Sequence, residues 1–318
     1  MSSQSTTTPR TQVKDLPESV PLPATSTSLD NKIHPQFSDE DTDIVLSSQE
    51  GIHFRMHSIV LKLASGWFRT LFTLPQSSQS SSTCPAEVIP MNESADILEV
   101  LLSMICGKEI PVSRMQTSMD FIEDILQVVE KYDMPGAASI VRLSVSLNLV
   151  KTHPVRVYAL ACRWGWLDIA KTASSHTLHM DLLAPENVSE LRFVGSADLA
   201  RLLLLHRVRR DQLRRELDST DLFYANVIPG KCTGCNADIN HSRWHTLKYA
   251  WVSSLEDKPF IVAEKDLLER PELLDVLDSK CPRCQKSLYN AESTLHNLRS
   301  ILERLPSTVG FDEEVTSV

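Results

Sequence analysis

Residues 43–72 read DIVLSSQEGIHFRMHSIVLKLASGWFRTLF, and two periodicities follow one another inside this stretch. Thr42-Asp43-Ile44-Val45-Leu46 is a short β-prone run. Ser47 to Gly51 is a cluster of turn formers, and Ile52 to Met56 alternates as a half-buried strand does, so the two runs read as a hairpin. The period then changes. Ile59, Leu61, Leu63, Trp67, Phe68, Leu71 and Phe72 recur at helical spacing, which predicts two short helices with Ser65-Gly66 between them.

Working outward, Glu87 to Pro90 reads as one more strand after a Ser/Gln stretch, 76–83, that holds five serines. Everything beyond is helical in pattern. Ile97, Leu98, Leu101, Leu102 and Ile105 line one face; Ile122, Ile125, Leu126 and Val129 line another, up to a stop at Met134-Pro135-Gly136. Further helices are expected over 137–149, over 155–170, again after Trp164-Gly165-Trp166, and over 197–217. Residues 1–28 carry six Ser, six Thr and four Pro, too little apolar surface to offset their ordering entropy.

The order of Asp43-Ile44-Val45-Leu46, Phe54-Arg55-Met56-His57, Leu61, Ser65, Trp67-Phe68 and Phe72 resembles the opening of a BTB/POZ domain. The leucine helix at 98–102 and Lys131-Tyr132-Asp133-Met134 extend the likeness over about residues 39–145. The resemblance implies an α+β domain, a small sheet with surrounding helices, that serves as a scaffold and self-associates. It also implies, for some members, recruitment of a cullin-type ubiquitin ligase. Two departures bear on partners. Members that recruit ligase carry a hydrophobic-x-Glu motif after the final Phe, where this chain has Leu74-Pro75-Gln76 and no Glu before Glu87. Ser58 stands where many members have Lys or Arg. Arg156 to Ala161 with Trp164-Gly165-Trp166 resembles the stretch that follows BTB domains in many fungal proteins, part of it similar to a BACK-type helical region. Asp43 reads as a turn cap and His57 as a helix-start residue, because neither has a nucleophile or metal partner in the pattern.

The chemistry-bearing signal lies further on. Cys232-Thr-Gly-Cys235 and Cys281-Pro-Arg-Cys284 are two C-x-x-C pairs with 45 residues between them. Each such turn aims two sulfurs at one centre, and four thiolates suit tetrahedral Zn²⁺. Gly234 is expected to take a left-handed conformation at the first turn, and Pro282 to stiffen the second. The intervening segment reads as helix, loop, helix, with Trp244, Leu247, Tyr249, Ala250, Trp251 and Leu255 in the first and Leu267 to Leu277 in the second. An amphipathic run from Leu295 to Leu305 follows. His241 and His245 could in principle replace a thiolate and leave an open, water-activating position. Four sulfurs already complete the shell, so a structural ion is favoured over a catalytic one. Four cysteines are also too few for a RING, which needs eight ligands for two metals. Lys231, Lys280, Arg283 and Lys286 flank the pairs and offset their charge.

Composition excludes several classes. The chain has 318 residues, 41 acidic against 32 basic, a net charge of −9 and only nine glycines. An acidic chain is poorly suited to nonspecific contact with nucleic acid or anionic membrane. Residues 229–290 hold nine Lys/Arg and nine Asp/Glu, so the Cys-pair region has no electrostatic footprint for nucleic acid either. No apolar leader or spanning segment is evident, which points to a reducing cytoplasmic or nuclear compartment and, for paired cysteines, to metal before disulfide. Cys106 and Cys162 read as packing residues, Cys84 as an oxidisable residue in the Ser-rich stretch, and the arginines at 201, 207, 209, 210, 214 and 215 as a solvated face.

The resulting expectation is a Ser/Thr/Pro tail over 1–38, a BTB/POZ-like domain over 39–145, a helical BACK-like region over 146–225, a zinc-stapled helical unit over 226–306 and a tail over 307–318. Its function is non-enzymatic protein interaction as a homodimer, with structural Zn²⁺ on Cys232, Cys235, Cys281 and Cys284. The alternatives carried are a cullin-ligase substrate adaptor, a zinc-dependent transcription regulator and, last, a zinc hydrolase.

Overall fold

The computed structural model describes residues 32–74, 87–219, 227–228, 230–257 and 270–311. The expected tail over 1–28, the Ser/Gln stretch 76–83, Cys84, and Leu267-Leu268 lie outside them. The chain divides into two compact units, one holding the sheet residues and one holding the helices.

In the sheet unit, β1 (Ile44–Ser47) pairs antiparallel with β2 (His53–Met56) and parallel with β3 (Glu87–Pro90), giving the order β2-β1-β3. Register explains the alternation in the sequence. Ile44 faces Met56 and Leu46 faces Phe54, and all four are buried, so both strands turn their apolar residues to one side. Order begins earlier than residue 39. Ile33 bridges to His53, a 3₁₀ turn spans Pro35–Phe37, and the buried Phe37 ring lies 5.5 Å from Phe54. The hairpin needs this extra aromatic cover, which a polar tail could not supply.

The helical unit opens with α1 (Ser58–Ala64) and α2 (Gly66–Leu71), as the pattern predicts. Ser65 caps α2 by accepting from the Phe68 N–H at 3.1 Å, and its hydroxyl donates to the Tyr132 carbonyl at 2.5 Å. The Gly66 N–H donates to the Asp133 carbonyl, and a Cβ on Gly66 would sit 1.9 Å from the Asp133 carboxylate. Any larger residue there would require the Asp133 side chain to move aside. Ser65-Gly66 and Tyr132-Asp133 are therefore two halves of one contact, 67 residues apart in sequence.

Next come α3 (Ala95–Cys106), α4 (Val112–Thr117), α5 (Met119–Lys131), α6 (Pro135–Ser144) and a π-helical turn at Val145–Leu149. Glu93, buried just before α3, accepts from Lys131 Nζ at 2.5 Å and from Tyr132 OH at 2.7 Å. The remaining middle helices are α7 (Pro154–Arg163), α8 (Leu167–Thr177), α9 (Pro185–Leu191) and α10 (Ser196–Leu217). The helix expected over 155–170 ends at Arg163, and the further helix expected after Trp164-Gly165-Trp166 is α8. The chain breaks at Trp164-Gly165, so that Trp166 can be buried at the start of α8. Among the described residues no helix is long and apolar enough to cross a membrane.

The arginine face of α10 is not uniformly solvated. Arg209 is buried and donates to the carbonyls of Leu305 and Pro306, at 3.3 and 2.8 Å. Residues 307–311 are tied down rather than trailing: Val309 is buried and its N–H donates to Ser174 Oγ at 3.1 Å. Nearby, His206 hydrogen-bonds Thr177 Oγ1 at 3.1 Å, and burial pushes its pKa down to about 4, with Arg209 adding to the shift and Asp181 opposing it. Its folded pKa lies below the free value of about 6.5. Its contribution is thus complete above pH ~6.5 and lost as pH falls toward ~4, by up to about 3 kcal/mol. The urea midpoint of wild type should fall more steeply over this window than that of His206→Gln; parallel curves would refute the assignment.

Candidate metal centre

Two hairpin turns build the site, and they share one backbone plan. The Cys232 N–H donates to the Ala237 carbonyl at 2.9 Å, and the Cys281 N–H to the Lys286 carbonyl at 2.8 Å. The Asn236 N–H returns to the Cys232 carbonyl, and the Gln285 N–H to the Cys281 carbonyl. Lys231 bridges Asp238, and Lys280 bridges Ser287. Each turn closes through a left-handed residue just after its second cysteine, Asn236 (φ 55°) and Gln285 (φ 59°). The expected left-handed Gly234 is a correction: its φ is not in the left-handed region, and the residue instead lies against the second turn. A Cβ there would meet Lys286 Cδ at 3.3 Å and Cys284 Sγ at 3.5 Å, while its N–H donates to Cys232 Sγ at 3.4 Å.

The turns face each other. Cys232 Sγ lies 3.6 Å from Cys284 Sγ, and Cys235 Sγ lies 3.5 Å from Cys281 Sγ. All four sulfurs lie within 4.8 Å of one another. A tetrahedral ion with Zn–S bonds of ~2.3 Å requires sulfurs about 3.8 Å apart, so the donor set fits the group. The sulfurs are also electrostatically prepared. The Cys284 N–H lowers Cys281 to about 6, with burial opposing and the Arg283 N–H helping. The Gly234 N–H lowers Cys232. Cys235 is raised to about 11: the Ala237 N–H pulls it down, but burial and hydrogen bonding among the other sulfurs outweigh that. A cation would displace the protons this cluster otherwise shares.

The knuckles stand on a dedicated core. Strands β4 (Val227–Ile228) and β5 (Lys231–Cys232) lead into the first, α11 (Ser242–Asp257) and α12 (Pro271–Leu277) connect the two, and α13 (Ala291–Arg304) follows the second. Cys232 and Cys281 are buried among Ile239, Trp244, Leu247, Trp251, Leu273, Val276, Leu298 and Ile301. Leu213 and Leu217 of α10 belong to the same cluster, so this core runs across residue 225. Tyr249 and Leu274, read above among the apolar residues of these helices, are instead exposed.

The histidines stand apart from the sulfurs. His241 Nδ1 hydrogen-bonds Tyr289 OH at 2.9 Å, and Tyr289 stacks on Trp244. His245 is exposed and lines a surface groove of about 480 Å³ with Arg214, Lys248 and Tyr249. Among the described residues the one group of three or more close metal-ligating side chains is the four cysteines. His57 and Asp43 are both exposed. The repeated Lys-Cys-x-x-Cys-Asn/Gln pattern was the available signal for the paired left-handed turns, and residue-by-residue reading passes over it.

The fold and the Ser65-Tyr132 contact meet in the comparison with known families. Residues 33–145 match the BTB/POZ domain family, and this part of the chain is a BTB/POZ domain. The match begins at Ile33, where the first bridge to the hairpin forms. The cysteine cluster lies outside it. No curated protein shows a significant match to the chain.

Proposed function

We propose that this chain is a non-enzymatic protein–protein interaction scaffold that self-associates through its BTB/POZ domain and carries a structural Zn²⁺ on Cys232, Cys235, Cys281 and Cys284. The observation that carries the first half is an apolar stripe on the domain's opening helices. Ile59 and Leu63, one turn apart on α1, are 59% and 75% exposed, and Trp67 on α2 is 38% exposed. Large aliphatic side chains so placed are costly in water, and two-fold pairing of one surface with its copy is the commonest closed solution. The four-sulfur geometry supports the ion, and the burial of Cys232 and Cys281 supports a structural rather than catalytic role. The helices of 146–225 form the BACK-like region in this reading, in a reducing cytoplasmic or nuclear compartment.

Light scattering on the full chain should give twice the 35.7 kDa of one chain. The double variant Ile59→Asp/Leu63→Asp should fall to a single-chain mass with unchanged helicity. A wild type that stays monomeric up to roughly 100 μM, where weak two-fold association becomes visible, would remove the self-association half.

A further inference from the structure

We propose that Cys284 is a redox modification site: a hydroperoxide oxidises it, Cys232 resolves it to a disulfide across the two turns, and the metal is discharged. This rests on the zinc reading above. The four sulfurs are not equally open. Cys232 and Cys281 are 3% and 0% exposed, Cys235 is half-buried, and Cys284 is exposed. The neighbour facing Cys284 is Gly234, which has no side chain to cover it.

In the first step the Cys284 thiolate attacks one peroxide oxygen. An S–O bond forms, the O–O bond breaks, and the hydroxide released takes a proton and leaves as water. In the second, the Cys232 thiolate, 3.6 Å away, attacks the Cys284 sulfur. An S–S bond forms, the S–O bond breaks, and a second hydroxide leaves as water. The two sulfurs have supplied two electrons to the peroxide. With two of four ligands consumed the ion is no longer held. Because Cys232 and Cys284 belong to different turns, the disulfide keeps the turns tied together after the metal has gone. A thiol reductant restores the dithiol.

The test uses full-length chain whose zinc content has first been measured, treated with hydrogen peroxide in the presence of a chromophoric chelator. Close to one zinc per chain should appear, peptide mapping should find Cys232 joined to Cys284, and dithiothreitol should restore zinc binding. Gly234→Ala, which places a methyl 3.5 Å from Cys284 Sγ, should slow release several-fold. Retention of zinc in excess peroxide overturns the proposal, as does a Cys281–Cys284 bond within the second turn or an unchanged rate in Gly234→Ala. A chain that carries no zinc before peroxide is added overturns the zinc reading itself, and this one with it.

Discussion

Cys281→Ser is expected to unfold the C-terminal core as a body and to leave the BTB/POZ domain folded. Cys281 is fully buried, and its sulfur is one of the two that backbone N–H groups hold toward thiolate. A serine hydroxyl is a poor zinc ligand. Losing it removes most of an ion whose apparent binding energy in small zinc domains is about 10–16 kcal/mol. That is comparable with the ~5–15 kcal/mol by which whole domains are stable. Trp244 and Trp251 are buried in this core, at 3% and 0%, so their emission should shift to that of solvated indole. The effect should reach back into α10, because Leu213 and Leu217 lose their cover. A strong chelator on wild type should reproduce the variant's melting profile. His241→Ala, which removes one hydrogen bond to Tyr289, should cost only about 1 kcal/mol. A Cys281→Ser chain that melts like wild type, with and without chelator, would show that no ion holds these turns.

Much of this was legible before any coordinates. The hairpin and helix pattern of residues 43–72 specifies its elements because one face of each strand and helix is buried, and burial writes itself into the period. The cysteine pairs were legible for a different reason: metal chemistry restricts residue type and spacing so tightly that few alternatives remain. What escaped was pairing at long range. Glu93 is an ordinary acid in sequence, yet it is buried between Lys131 and Tyr132. Arg209 reads as one more cation on a charged helix, yet backbone carbonyls 96 and 97 residues away receive it. Polar residues carry no periodic signature of burial; their partners are set by how helices meet. Trp164-Gly165-Trp166 is legible as a divider between two helices, but apolar spacing continues across it, so the first helix reads on to Ala170 although it ends at Arg163.

Arg156 is another of these unannounced polar residues, and its loss should be the most costly single change outside the cysteine cluster. Only 8% of its side chain is exposed. From α7 it reaches Asp120 Oδ1 at 2.6 Å and Glu123 Oε1 at 2.7 Å, both on α5 of the BTB/POZ domain. Glu190 of α9 lies 3.7 Å away, and the guanidinium packs over the Phe193 ring at 3.5 Å from its centroid. One planar cation thus joins the domain to the helices that follow it. Asp120 is 80% exposed, so that pair is screened and adds little; the energetic centre is Glu123, whose side chain is 16% exposed. Arg156→Ala would strand that carboxylate with only Arg163, at 3.8 Å, and open space beside Phe193. Breaking one side of such a pair costs about 3–5 kcal/mol. Arg156→Lys should recover less than half of this, because an ammonium cannot fork toward two carboxylates or stack on the ring. The Arg156→Ala/Glu123→Gln double variant should be more stable than Arg156→Ala alone, since it removes the stranded charge. Urea unfolding measures all three. A loss below about 1 kcal/mol in Arg156→Ala, the scale of a surface ion pair, would mean the contact is incidental and the domain is joined to α7 by apolar packing alone.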